Sequence, residues 1–178
     1  KAMLGVEPEY TQKSLEAGGK VKEQLKNALE NVSFRFQGSV MTNTHIRGYS
    51  DIDLLTICEK FYTYDRKGIS EILNSFEKSF SLNNSQKYRL STVLEGPGYS
   101  QGMSDLRKLR LDCEQILNDT YKYTNTSKPK SIKVSLTNPQ REVDVVIANW
   151  YKNANFYIKD DETLLGIKVF VKGDTPGL

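Results

Sequence analysis

Asp51-Ile52-Asp53-Leu54-Leu55-Thr56-Ile57-Cys58 is the stretch that most limits how this chain can fold. Its apolar residues are too dense for a surface loop and predict an interior strand. Side chains at i and i+2 of a strand share a face, so Asp51 and Asp53 point the same way, about 6.5–7 Å apart at Cα. Two close carboxylates repel, and burying them without a partner is costly. The strand therefore needs a sheet with one covered face and an acidic end that meets water or cations. A second apolar run, Val143-Asp144-Val145-Val146-Ile147, holds another acid in the same setting. An acid inside such a run is not a solvated surface charge.

The rest of the chain supplies the cover. Val21, Leu25, Ala28, Leu29 and Val32 recur at helical spacing and predict a first helix ending near Asn31, with Gly18-Gly19 marking a weak or late start. Phe34 to Gln37 alternates as a short strand that Gly38-Ser39 ends. Residues 40–50 form a polar connection. Ile69, Ile72, Leu73, Phe76 and Phe80 make one helical stripe, and Tyr88 to Leu94 reads as a further strand or an irregular piece. Residues 95–103 carry three glycines and a proline and form a loop. Ser104 is placed to cap a helix bearing Leu106, Leu109, Cys113, Ile116 and Leu117. Residues 125–130 make a turn.

Ile132, Val134 and Leu136 alternate with Lys133 and Ser135 as a strand. The tight Asn138-Pro139-Gln140 connection makes Glu142 to Ala148 its hairpin partner. Tyr157-Ile158 and Gly166 to Val171, flanking a polar tetrapeptide, predict one more hairpin. The sum is an α+β fold: a mixed sheet with about three flanking helices, in an order that is not the strict alternation of a doubly wound sheet. A length of 178 residues predicts a single domain, 1–178, with its core over about 21–171.

Composition removes several chemistries. His45 is the single histidine and Cys58 and Cys113 are the two cysteines, so there is no Cys/His metal spacing and no evident nucleophile–histidine triad. Both cysteines read as small core hydrophobes. No apolar run reaches membrane length, and Lys1 to Tyr10 lacks a signal-peptide core, which predicts a soluble, cytoplasmic protein with no membrane partner. The net charge of +3 discriminates little. The tyrosines are scattered, without the basic–aromatic interleaving of a nucleic-acid platform. His45 reads as a polar loop residue, Arg47 as a phosphate contact or a loop anchor, and Ser50 as a local hydrogen-bond partner of Asp51. Trp150 reads as a core or interface residue rather than a base-stacking one. Lys128, Lys130 and Lys133 read as a solvated edge.

The oxygen-only acids suit magnesium or manganese. Two-metal phosphoryl sites hold their ions about 3.5–4 Å apart, which Asp51 and Asp53 can span with Asp144 completing the set. Phe36-Gln37-Gly38-Ser39, Thr44-His45-Ile46-Arg47 and Ser50-Asp51-Ile52-Asp53-Leu54 together resemble the signature of polymerase-β-type nucleotidyltransferases: an apolar-Gly-[Gly/Ser] turn, a gap of about a dozen residues, then Asp-apolar-[Asp/Glu]-apolar. Glu142-Val143-Asp144-Val145-Val146 is similar to that superfamily's third-acid strand. The Gln-Gly-Ser start, the Thr-x-Ile-Arg stretch and the ninety residues between Asp53 and Asp144 resemble most the cGAS/DncV-like nucleotidyltransferases of bacterial antiphage signalling.

The resemblance implies a palm-like sheet that binds a nucleoside triphosphate with two Mg2+ (or Mn2+) ions. It implies that Gly38 and Ser39 hold the triphosphate, that Asp51 and Asp53 bind the metals, and that Asp144 helps bind the catalytic metal and activates the attacking hydroxyl. Pyrophosphate would leave, and the product would be a cyclic di- or oligonucleotide second messenger in antiviral defence. Nucleotidyl transfer to RNA, protein or a small molecule is the alternative within that chemistry. An inactive nucleotide-binding module, or an α+β domain with incidental acids, is the alternative outside it. Members of this family also carry a helical C-terminal lobe that closes the cleft. That lobe is expected to be absent from this chain or supplied elsewhere, as a regulatory partner would be.

Overall fold

The computed structural model describes residues 8–38 and 52–174. Its centre is a parallel pair of long strands, β2 (Ile52–Tyr64) and β5 (Gln140–Lys152). Strand β1 (Val32–Gln37) pairs antiparallel with the outer edge of β2, and β4 (Ile132–Thr137) with the first half of β5. Strand β3 (Tyr123–Asn125) extends the sheet beyond β4, while β6 (Gly166–Val169) pairs with the second half of β5. The six strands thus run β1-β2-β5-β4-β3, with β6 beside β5. This is the mixed α+β sheet that the strand pattern predicts.

One face is covered by two long helices, α1 (Pro8–Ala28) and α5 (Gly102–Thr120). Ala17, Val21 and Leu25 of α1 and Leu106, Leu109, Cys113 and Leu117 of α5 bury against Ile52, Leu54, Val143, Val145 and Ile147 of the sheet. Alternation does the rest: residues between these point to the other face. Cys58 and Cys113 are buried in this core as expected, and burial pushes the Cys113 thiol up to about 12, far from thiolate chemistry.

Several elements differ from the sequence expectation. Helix α1 runs through Gly18-Gly19 rather than starting after them, and Val32 belongs to β1. Gly18 is there for clearance. A Cβ at position 18 would stand 2.8 Å from Phe36 Cε1 and 3.2 Å from Ile52 Cδ1, whereas one at 19 would meet nothing within 4 Å. Tyr88 to Leu94 is helical, inside α4 (Asn84–Glu95), which opens on a reciprocal capping box between Asn83 and Gln86.

The stripe from Ile69 to Phe80 is two helices, α2 (Arg66–Asn74) and α3 (Phe76–Phe80), because Ser75 ends one and caps the other. Phe76 and Phe80 are accordingly exposed. Ser104 lies inside α5, whose N-cap position is Gln101. Tyr157-Ile158 forms no hairpin. Asn153 caps a short helix there, α6 (Ala154–Lys159), which packs on α2 and α4 in a second small core. Six α-helices, rather than three, lie among the described residues.

Arg110 on α5 is 2 % exposed. Its Nε donates to Glu114 Oε1 at 2.7 Å, and the same oxygen accepts from Lys172 Nζ at 3.0 Å. Burial pushes the Glu114 carboxyl up, but the hydrogen bonds from Arg110 and Lys172 outweigh it and hold the group below its ordinary value of 4.5.

Three outcomes follow from this packing. Gly19→Ala should raise the melting temperature, by the equivalent of about 0.5–1 kcal/mol of helix propensity. Gly18→Ala should lower it, because overpacking typically costs about 1–3 kcal/mol and exceeds that gain. Glu114 binds its proton less readily folded than unfolded, so its contribution is complete above the ordinary carboxylate value and is lost as pH falls below it. Glu114→Gln should therefore flatten the loss of stability below about pH 4.5 in acid titrations followed by circular dichroism.

Candidate functional site

The face of the sheet opposite α1 and α5 carries a row of polar side chains. Asp53 of β2 is the register partner of Asp144 of β5, across the parallel pair. Neighbouring strands lie about 4.8 Å apart, and directly paired residues point to the same face. Gln37 of β1 pairs with Asp53 on one side, and Lys133 of β4 pairs with Asp144 on the other. The row across the sheet is thus Gln37, Asp53, Asp144, Lys133. The buried neighbours Ile52, Leu54, Val143 and Val145 commit the alternate positions to the core, so a one-residue slip would bury both acids.

Gly38 follows Gln37 directly, with φ 110°, a backbone region that favours glycine. It ends β1 beside the acid row. Ser39 and Asp51 lie outside the described residues, as do His45, Arg47 and Ser50. Of the expected site residues the structure therefore describes Gly38, Asp53 and Asp144, and brings them to one end of three adjacent strands. Among the described residues no three His, Cys, Asp or Glu side chains gather as a metal cluster.

Asp144 is 13 % exposed and well surrounded. Ser131 Oγ donates to its Oδ1 at 2.9 Å. Lys128 Nζ stands 3.8 Å from Oδ1 and Lys133 Nζ 3.7 Å from Oδ2. Lys133 Nζ also donates to Glu142 Oε2 at 2.6 Å, and that hydrogen bond is the main cause holding the Glu142 carboxyl below its ordinary range. Lys128 and Lys133 are therefore not simply a solvated edge, because both ammoniums are turned toward the third acid. Their role was readable once the hairpin register is counted from its turn, since Thr137 opposite Gln140 brings Lys133 opposite Asp144.

The donor set fits a hard divalent cation. It consists of carboxylate oxygens on adjacent strands, half-buried, on a face that helices α1 and α5 leave uncovered. Beyond the acids the same face turns apolar. Leu55, Ile57, Ala148 and Trp150 form a small cluster with Val146, Leu165 and Ile167. Trp150 is 7 % exposed, donates from Nε1 to Glu59 Oε1 at 2.9 Å and lies under the Arg35 guanidinium, so it is a core residue.

No family model matches the chain. Relatives do. A Capnocytophaga granulosa protein named c-di-GMP synthase is 46% identical over 172 residues, covering 96% of this chain and 48% of that protein. A Lachnospiraceae bacterium protein of the same name is 35% identical, covering 97% of this chain and 50% of that protein. The solved structure of a STING-associated CdnE c-di-GMP synthase from Flavobacteriaceae sp. superposes with a TM-score of 0.77 at 38% identity, over 94% of this chain and 47% of that one. Over nearly its whole length the chain is similar to these cyclic dinucleotide synthases, and the likeness supports the cGAS/DncV-like nucleotidyltransferase family that its motifs resemble. The chain spans about half the length of the relatives it matches. Among its described residues no helix is long and apolar enough to cross a membrane.

Serine 131 offers a check on the site that leaves the core alone. Ser131→Ala removes one hydrogen bond to a charged group, worth about 1.5–3 kcal/mol when part-buried. The expected outcome is a lower melting temperature, with the loss absent in an Asp144→Ala background.

Proposed function

We propose that this chain is the catalytic unit, 1–178 with its core at about 21–171, of a cytoplasmic enzyme that makes a cyclic dinucleotide from nucleoside triphosphates. GTP is the favoured substrate, because the relatives at 46% and 35% identity are both named c-di-GMP synthases. The observation that carries the reading is the in-register pair Asp53–Asp144 on the face opposite α1 and α5. In each step a ribose hydroxyl oxygen attacks the α-phosphorus of a triphosphate. The new P–O bond forms as the bond to the β-phosphate bridge breaks, and pyrophosphate leaves. A second such step closes the ring, so two triphosphates give one cyclic dinucleotide and two pyrophosphates.

Asp51, Asp53 and Asp144 would hold two Mg2+ or Mn2+ ions. Such ions would neutralise charge on the transferring phosphoryl group and lower the pKa of the attacking hydroxyl. We assign the hydroxyl's proton to Asp144, whose carboxylate the Ser131 hydroxyl holds in place. Gly38 and Ser39 would cradle the triphosphate, since a glycine with positive φ lets the backbone approach a ligand closely. The product would serve as a second messenger in antiviral defence, read by a receptor. The Flavobacteriaceae relative is described as STING-associated, which supports that partner class.

The complete gene product, incubated with α-labelled GTP in Mg2+ and then phosphatase, should yield a labelled small molecule that resists phosphatase and co-migrates with c-di-GMP. Label carried by RNA or protein would contradict the cyclase reading. Asp53→Asn and Asp144→Asn should each reduce turnover to background. Asp53→Asn should also leave the melting temperature unchanged or higher, because it removes like-charge repulsion across the strand pair, worth about 0.2–1 kcal/mol.

A further inference from the structure

The connection between β3 and β4, residues 126–131, links the helix-covered side of the sheet to the acid row, and a buried guanidinium holds it. Arg110 Nη2 donates to three carbonyl oxygens of that connection: Thr126 at 3.2 Å, Lys128 at 3.0 Å and Ser131 at 3.1 Å. Lys172 reinforces the grip, its backbone N–H donating to Pro129 O at 2.7 Å and its Nζ to Glu114 at 3.0 Å. Glu114 in turn accepts from Arg110 Nε, which sets the guanidinium plane.

Ser131 faces both ways. Its carbonyl is held by Arg110, and its hydroxyl donates to Asp144 Oδ1 at 2.9 Å. Lys128 does likewise, with its carbonyl on Arg110 and its ammonium 3.8 Å from the same Asp144 oxygen. Position is thereby transmitted from a helix on one face of the sheet to a carboxylate on the other.

Stability alone does not account for the choice of residue. Buried ion pairs are often replaced by apolar side chains at no loss. Here the guanidinium is 2 % exposed, and its Nη1 has no hydrogen-bond partner. What an arginine adds, and a methionine lacks, is a rigid planar fork that fixes several carbonyls at once.

We propose that Arg110 is a positioning residue for Asp144: by fixing Ser131 it aims the carboxylate for binding a divalent cation. This rests on the reading of Asp144 given under Proposed function. Residues that hydrogen-bond a metal ligand typically change metal affinity by about 10–100-fold when removed.

The test is Mn2+ affinity of the complete gene product in the presence of a non-hydrolysable GTP analogue, followed by the electron spin resonance of free Mn2+. Arg110→Lys and Ser131→Ala should each weaken Mn2+ binding by about 10–100-fold. The double variant should be no weaker than Arg110→Lys alone, because both act along one line. Amide exchange over 126–131 should also quicken in Arg110→Lys without any metal present. A variant Arg110→Lys with a lower melting temperature but wild-type Mn2+ affinity would overturn the proposal, as would losses that multiply in the double variant. If Arg110→Lys does not fold, Ser131→Ala decides: wild-type affinity there overturns it, and weakened affinity upholds it. Asp144→Asn separates the two levels. Should it bind Mn2+ as the wild type does, the reading of Asp144 fails; should it lose Mn2+ while Arg110→Lys keeps it, only the positioning role fails.

Discussion

Everything at the site depends on the parallel pairing of β2 with β5 in a register that sets Asp53 beside Asp144. Like charges directly opposite on paired strands are destabilising, by about 0.2–1 kcal/mol. The chain accepts that cost on its two central strands. Buried Ile52, Leu54, Val143 and Val145 hold the register from below, where a slip would expose the largest core cluster. The core therefore stabilises an arrangement that repulsion between the two acids opposes, and the Lys128 and Lys133 ammoniums beside Asp144 offset part of it.

The sheet divides the labour between its faces. Helices α1 and α5 seal one, with Gly18 letting α1 come close to Phe36 and Ile52. The other face, which α1 and α5 leave free, carries the acid row at one end and closes into a small apolar cluster around Trp150 at the far end. The faces are not independent. Arg110, rooted in the sealed side, grips the connection whose Ser131 touches Asp144. A fold of this kind can carry phosphoryl chemistry with few side chains, since placement of charge does most of the work in such reactions. A single histidine is then no handicap.

Much of this was legible in the chain. The strands containing Asp53 and Asp144, the hairpin through Asn138-Pro139 and the helical stripe from Leu106 to Leu117 all follow from periodicity that tertiary packing then respects. What was not legible has local physical causes. Tyr88 to Leu94 resembles a strand by composition, and the helix is announced instead by the capping pair Asn83 and Gln86 just upstream. Gly18-Gly19 reads as a helix start because propensity is local, whereas the close approach that demands Gly18 is not. Lys133 looked like edge charge because its partner, Asp144, is eleven positions away and adjacent only through the hairpin. Arg110 was invisible, since a lone arginine on a helical stripe gives no sign of the three carbonyls it will meet.

The most direct measurement is anomalous diffraction from a crystal of the complete gene product soaked with Mn2+ and a non-hydrolysable GTP analogue. The account predicts a manganese peak within coordinating distance, about 2.0–2.6 Å, of both Asp53 and Asp144 carboxylates, against the analogue's phosphates. Manganese bound to the phosphates alone, with Asp144 still held by Ser131 and its lysines and touching no metal, would contradict it.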